Sequence, residues 1–482
     1  MARESITRGL RVFVLLLTLQ DVSPGVLSTS EARTLTDTVI QGFSFKGDGT
    51  SFLGTFSPVA AKPTDVASAG RTVAPALAAA VAQAVTQEFP LTSVAPAFTY
   101  RYNPTLRVFE RSTGVPGPLF SERALTLGEG QLNFSVGYSF IHFSELNGTS
   151  LDEVRSPALL FETFRDPVVT PSGLAGFRLS AVRIHTQLDL QAQVIAPSLR
   201  YGITENWDIG LTIPIVHAFV RVRNETERVA DLNGLLFSAS PLVVLDRFGR
   251  KIRLNSNTRL RFVQSRLRPG LLSKAAGSAT GVGDILLRTK YHLWRTEAGC
   301  AAVGLNLQLP SGDVNDFHGT DETHLSTFLY LSQVLWERFE PHLNLGVDVN
   351  ADAVERSSFV YAAGATFLVG KDLGLMVDFL GRSEFSEFPL HVPPQGKLVG
   401  DPLDRAANTC TTAQPCSLRL NAGKVFPVFP IQIKRNDIVD FSFGVRYSVG
   451  TAGSVFFGGV VPMNADGFRA DFIPSGGIEY SF

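Results

Sequence analysis

The sequence predicts an all-β fold: a transmembrane antiparallel β-barrel of about twelve strands, preceded by a partly helical N-terminal extension. Three observations carry this. Many stretches of about ten residues alternate strictly between apolar and small or polar side chains. The connections between them alternate between short and long along the chain. The composition is mildly hydrophobic, with a mean hydropathy of +0.14, 18% charged residues, 43 Gly and 36 Phe. Yet nowhere do about eighteen consecutive apolar residues form a helical span. The formal charge of -1 argues against an electrostatic nucleic-acid partner.

The N-terminus sets Arg3, Arg8 and Arg11 before the apolar run from Val12 to Leu19, the pattern of a secretory signal peptide over residues 1–32. Residues 33–129 lack strand rhythm and read as a periplasmic or lumen-plugging extension. Within them Val73, Leu77, Val81 and Val85 fall four apart in an Ala-rich run, which predicts a helix with one narrow apolar stripe ending before Pro90.

The barrel is expected over 130–482. Leu132, Phe134, Val136, Tyr138 and Phe140 alternate with Asn133, Ser135, Gly137 and Ser139 in the first strand. The second is broad, about 182–201, with Ile184, Leu188 and Leu190 set against Arg183, Gln187, Asp189 and Gln191; a tight turn at Thr204–Asn206 leads into the third at 208–222. Further strands are expected at 284–295, 299–310, 325–336, 339–350, 358–369, 373–384, 437–449, 453–462 and 470–482. In the strand at 453–462 the pair Phe456-Phe457, followed by Gly458-Gly459, breaks the alternation and predicts a bulge or bend. Tight turns suit the periplasmic rim, and the longer connections, such as 146–180, 224–282 and 385–436, suit the outside. In the closing strand Ile478, Tyr480 and Phe482 alternate with Gly477, Glu479 and Ser481; Tyr480 and Phe482 make a terminal aromatic signal of the kind that barrel assembly machinery reads.

Two stretches are more specific than periodicity. Gly281-Val282-Gly283-Asp284 opens a strand that returns through Leu309-Pro310-Ser311-Gly312-Asp313. Phe120 to Gly128 is expected to open the first strand. Together they resemble the outer-membrane transporter-like barrels of the phenol-degradation MetA-pathway family over about residues 117–482. The resemblance implies passive passage of small hydrophobic or aromatic compounds across the bacterial outer membrane, with outer-membrane lipid and the assembly machinery as partners and no cofactor. Read physically, Pro310, Gly312 and Asp313 suit a strand exit, and Gly281 and Gly283 ease a bend where loop becomes strand.

Arg288, Lys290, Asp348, Asp378 and Arg446 fall on lumen-facing parity and are candidates for selectivity; a salt-bridged lumen that merely keeps the barrel closed is the alternative. The long connections at 224–282 and 385–436 motivate a second reading, a structural or surface-recognition barrel with a closed lumen. A third reading, a lipid-hydrolysing barrel, would rest on His142 with Ser139 and Ser144; no nucleophile elbow or paired-histidine metal motif accompanies them, and no catalytic, cofactor or metal residue is assigned. The acidic loop of Asp313, Asp316, His318, Asp321 and Glu322 matches no calcium-loop template. Cys410 and Cys416 could close a small disulfide loop in an oxidising compartment, leaving Cys300 over.

Overall fold

The computed structural model describes residues 34–42, 84, 99–103, 108–111, 114–146, 148–170, 173–231, 242–245, 251–254, 272–296, 299–386, 437–450 and 452–482. The expected signal peptide and the Cys410–Cys416 pair lie outside these residues. So does the helix expected over 73–85, except for Ala84, which is helical.

Described elements begin with a short helix, α1 (Leu35–Gly42), and a small hairpin, β1 (Tyr100–Asn103) with β2 (Val108–Arg111). The wall starts with β3 (Leu132–Leu146), the short β4 (Thr149–Ser150), β5 (Val154–Thr170), β6 (Gly173–Thr204), β7 (Trp207–Thr212) and β8 (Ile215–Asp231). A separate pair, β9 (Leu242–Leu245) and β10 (Lys251–Leu254), precedes β11 (Leu272–Val282), β12 (Ile285–Thr296), β13 (Gly299–Leu309), β14 (His324–Ser332) and β15 (Phe339–Asn350). Then follow β16 (Ser358–Val369), β17 (Leu373–Glu384), β18 (Asp437–Val449), β19 (Gly453–Pro462), β20 (Phe468–Ala470) and β21 (Ile473–Ser481).

All but β1, β2, β9 and β10 form one closed antiparallel barrel. It closes where β21 pairs with β3, from Ser475↔Ser139 to Ser481↔Asn133. β7 with β8 makes a single crossing, interrupted at Ile213-Pro214; β11 with β12 makes another, interrupted at Gly283-Asp284. The two breaks are neighbours, joined by the hydrogen bond from Gly283 N to Pro214 O at 2.7 Å. Proline cannot donate to a ladder, so the wall offsets there instead of running straight. Counted by crossings, the barrel has twelve strands.

Alternation places one set of side chains outward. Leu287, Val303, Leu305, Leu325, Val347, Leu375, Val377, Phe443 and Val455 are exposed and form an apolar belt. Large aromatics cluster where the short turns lie: Trp207, Trp294, Trp336, Phe367, Tyr447, Tyr480 and Phe482. A closed barrel satisfies every backbone pair internally and leaves this apolar face for hydrocarbon, so this is a transmembrane barrel of the outer-membrane type. Ile478, Tyr480 and Phe482 face outward while Glu479 and Ser481 are buried inside.

Three expectations need correction. The connection expected over 146–180 is largely strand, because β5 and β6 continue as a long hairpin beyond the belt. The strand at 453–462 carries no bulge: β19 pairs without a register shift with β18 and with β21. Phe456 turns inward against the Arg446 guanidinium, 5.3 Å from its ring centre, while Phe457 faces outward. An inward aromatic on a cation replaces the polar residue that alternation anticipates. Finally, Phe120–Gly128 does not open the first strand; it is irregular chain inside the barrel.

On β6 and β8 the polarity of the two faces inverts part-way up. Leu199, Ile195 and Ile215 are outward and exposed, as lipid contact requires. Beyond them the outward residues are Gln193, Gln191, Asp189 and Gln187 on β6, and His217, Phe219, Arg221 and Arg223 on β8. The buried inward residues are Leu188, Leu190, Ala192, Val194, Val216, Ala218, Val220 and Val222. The sheet has left the bilayer at this height: water is outside, so the apolar face turns in. This part is a tower with a hydrophobic interior, joined by Ile141 and Phe143 of β3 and by Leu35 and Val39 of α1.

Candidate functional site

The lumen holds chain at two levels. In the half nearer the short turns, residues 114–127 cross from wall to wall. Fully buried charges on irregular chain would be costly, so each finds a partner there. Glu122 is the hub: its carboxylate lies 2.8 Å from Arg200 Nη2, 3.1 Å from Lys290 Nζ and 3.3 Å from Arg288 Nη1. Its backbone is held by Asn344, which donates to Glu122 O at 2.9 Å and accepts from Glu122 N at 3.3 Å. Burial by itself would raise the Glu122 pKa. The three cations, Arg200 foremost, outweigh it and hold the carboxyl well below the usual carboxylate range.

Neighbouring residues extend the lock. Arg123 donates to Val115 O at 3.0 Å and faces Glu340 at 3.5 Å. Ser121 Oγ lies 2.6 Å from Asp378 Oδ1 and 2.7 Å from His342 Nε2. Gly364 sits opposite this group; a Cβ there would come within 2.2 Å of Asp378 Oδ1, so only glycine lets the wall approach so closely. Arg446 donates to Glu479 at 2.7 Å and to Pro118 O at 3.1 Å, tying the closing strand to the segment. Leu127 N donates to Asp208 at 3.1 Å, and Ala124 N to Ser332 at 3.1 Å.

On the far side of the barrel, α1 lies inside the tower. Asn224 donates to Gly42 O at 2.6 Å, and a Cβ on Gly277 of β11 would come within 2.9 Å of Thr38 Oγ1. The loop after β13 folds in to meet it: Asp316 accepts from Leu35 N at 2.9 Å, and Thr36 donates to Asn315 O at 3.0 Å. The motif residues shape this loop. Asp284 accepts from Gly312 N, Thr320 N, Thr320 Oγ1 and Gln308 Nε2 at 2.9 to 3.1 Å. Ser311 Oγ donates to Gly283 O at 2.8 Å and accepts from Ile285 N at 2.9 Å. A Cβ on Gly281 would come within 2.4 Å of the His318 ring. Asp313 caps the short turn at Val314–Asp316, next to Pro310 and Leu309.

Of the five selectivity candidates, Arg288 and Lys290 meet Glu122, Asp378 meets Ser121, and Arg446 meets Pro118. Asp348 stands apart at the outer end, bound by His324 at 2.9 Å, Ser326 at 2.6 Å and Arg382 at 2.6 Å. Next to it Glu322 pairs with Arg356. Asp313, Asp316 and Glu322 thus serve as a cap, a helix contact and an ion pair, and among the described residues no group of His, Cys, Asp and Glu is arranged to hold a metal ion.

For hydrolysis the geometry offers little. His142 faces outward beside Asp189 at 3.3 Å, while Ser139 points inward to Ser475 at 2.9 Å and Ser144 is bound to Asp471. In the Ser121–His342–Asp378 group, serine and carboxylate both meet Nε2, so the acid does not orient the base from Nδ1 as a triad needs. Sequence reasoning missed Ser121, Glu122, Arg123, Arg200, Glu340, His342 and Glu479. Inward parity on the strands was the available signal for Arg200, Glu340, His342 and Glu479; nothing periodic marked the three in the segment.

Residues 181–376 match the family described as "Putative MetA-pathway of phenol degradation". No curated protein matches the sequence. Solved structures similar to this chain include an outer membrane channel from Pseudomonas putida F1, at 11% identity and a TM-score of 0.37, covering 74% of this chain and 98% of that one. A Pseudomonas aeruginosa FadL homologue aligns at 10% identity and a TM-score of 0.26, over 73% of this chain and 89% of that one. The CymD monoaromatic hydrocarbon channel aligns at 11% identity and a TM-score of 0.25, over 74% and 89%.

Proposed function

We propose that the protein is a passive channel of the bacterial outer membrane for small hydrophobic or aromatic solutes. The observation that carries this is the apolar interior of the tower: Leu188, Leu190, Val194, Val216, Val220 and Val222 line the inside where the outside is polar. A pore for sugars or ions needs polar walls at its mouth. Once α1 shifts, this apolar mouth above the membrane takes an apolar solute out of water at about 25 cal/mol per Å² of surface buried. The match of residues 181–376 to the phenol-degradation family supports the same solute class. Segment 114–127 and α1 act as a plug that must shift for passage, and Arg288, Lys290, Asp378 and Arg446 are its anchors rather than an open filter. Tyr480 and Phe482 serve as the signal read during assembly.

The test is uptake into liposomes carrying the refolded protein, using aromatic hydrocarbons, phenols, fatty acids and a sugar of matching size. Faster entry of the apolar set than in empty vesicles, without the sugar, is the expected result. Equal rates for all solutes and for empty vesicles would overturn the reading. That outcome would favour the second one, a closed barrel serving structure or surface recognition, to which the wall-to-wall crossing of 114–127 lends weight.

A further inference from the structure

We propose that the outer surface of the tower, directly above the apolar belt, binds the phosphorylated glycolipid headgroup of the outer leaflet. The register lays out the face in rows. The last apolar row is Ile195, Ile215 and Val282 on three adjacent strands, all exposed. Above it come Gln193, His217 and Thr280, then Gln191, Phe219 and Ser278, then Asp189 and Arg221, then Gln187, Arg223 and Lys274. From Ile195 to Asp189 is six residues, which on a tilted strand rises about 14 Å. These rows therefore stand at the height of headgroups and inner sugars, not in hydrocarbon and not in open water.

The side chains suit that zone. Gln191, Gln193, His217, Phe219 and Arg221 line a recess of about 200 Å³. Arg221 stacks on Phe219, 5.1 Å from its ring centre, and touches Asp189 at 3.4 Å while half exposed. Arg223, exposed beside Glu225 at 3.7 Å, and Lys274 stand one row higher. Two guanidiniums and an ammonium offer charged donors to phosphate, and Arg in particular can bind it through two N–H groups at once. Two carboxamides suit sugar hydroxyls, and aromatic faces at Phe219 and Tyr138 suit sugar rings. Tyr138 pairs with Ile195 at the belt's edge and donates to Gln193 at 3.4 Å. A glycerophospholipid has use for the cations but not for the carboxamides and rings, so the occupant is a phosphorylated saccharide lipid. The site lies on the opposite side of the wall from the solute path and does not depend on the transport reading.

The experiment is native mass spectrometry of the detergent-solubilised full chain with bisphosphorylated lipid A, dephosphorylated lipid A and phosphatidylglycerol. The expected result is preferential retention of the bisphosphorylated form. R221Q/R223Q should lower that retention roughly 30-fold, and Q191L/Q193L should erase the preference over phosphatidylglycerol. All four side chains point outward, so the variants should keep the heat-modifiable barrel on gels, which checks that they fold. Equal retention of the dephosphorylated form, equal retention of phosphatidylglycerol, or unchanged retention by folded R221Q/R223Q would each overturn the proposal.

Discussion

Glu122→Gln is the sharpest test of how the lumenal segment 114–127 is held. The substitution keeps size and one acceptor but removes the charge that Arg200, Lys290 and Arg288 share within 3.3 Å. Breaking a buried ion pair by deleting one partner costs about 3–5 kcal/mol, because the remaining charges stay buried without compensation. With three cations around one carboxylate the upper end applies. If the cost falls on docking of the segment, about 4 kcal/mol moves the docked-to-released ratio by roughly 10³. Planar-bilayer recording should then show a large rise in the open fraction for E122Q over wild type. E122Q/K290M removes one stranded cation and should recover part of the closed state. The sign of the pH dependence follows from the depressed Glu122 pKa: the stabilisation is complete above the ordinary carboxylate range and is lost only as pH falls well below it. The wild-type segment should thus not be released through Glu122 between about pH 5 and pH 8. An E122Q channel whose conductance and urea stability equal those of wild type would refute the claim that this carboxylate anchors the segment.

Three further outcomes are expected. Asp284→Ala removes the acceptor for four donors and should free the loop over 311–320, costing about 3 kcal/mol and appearing as faster cleavage there in limited proteolysis; unchanged cleavage would count against a clamp. Along one face of β6, Leu199→Lys should destabilise the barrel in bilayers by up to about 2–4 kcal/mol, while Gln191→Lys should stay within about 0.5 kcal/mol. Similar costs at both sites, measured by denaturant titration, would contradict a membrane boundary between them. Deleting Phe482, 66% exposed and packed 4.8 Å from Tyr480, should lower the fraction of chain that reaches the heat-modifiable form in cells; an undiminished fraction would remove its role in assembly.

Much of the wall was legible because alternation is a local property. Val303, Leu305 and Leu307 against Gly304, Asn306 and Gln308 need only the period of a strand to be sorted into two faces. Which face meets which medium is not local. Leu188 and Leu190 alternate with Gln187 and Asp189 just as belt residues do, yet they face the opposite way, because height above the bilayer decides and no residue encodes it by itself. The site was harder still. Lys290 and Arg288 could be placed on the lumen side from parity, but their partner Glu122 lies about 170 residues earlier in irregular chain, and such pairing depends on tertiary closure. Asp284 was readable as part of a motif; that it gathers Gly312 and Thr320 required the loop to be seen folded.

The contact of Arg446 with both Glu479 and Pro118 bears on how the molecule is made. β21 and β3 zip the ring shut through seven facing pairs, Ser475↔Ser139 to Ser481↔Asn133. The same rung that seals the ring reaches across, through one guanidinium, to chain that precedes the first strand. Asn133 reinforces it by donating to Glu479 at 2.6 Å. A ring closed around nothing would leave Arg446 without its bond to Pro118 O, so vacant closure is the less stable product. On these contacts the last strand docks most firmly when the segment to be enclosed is already in place.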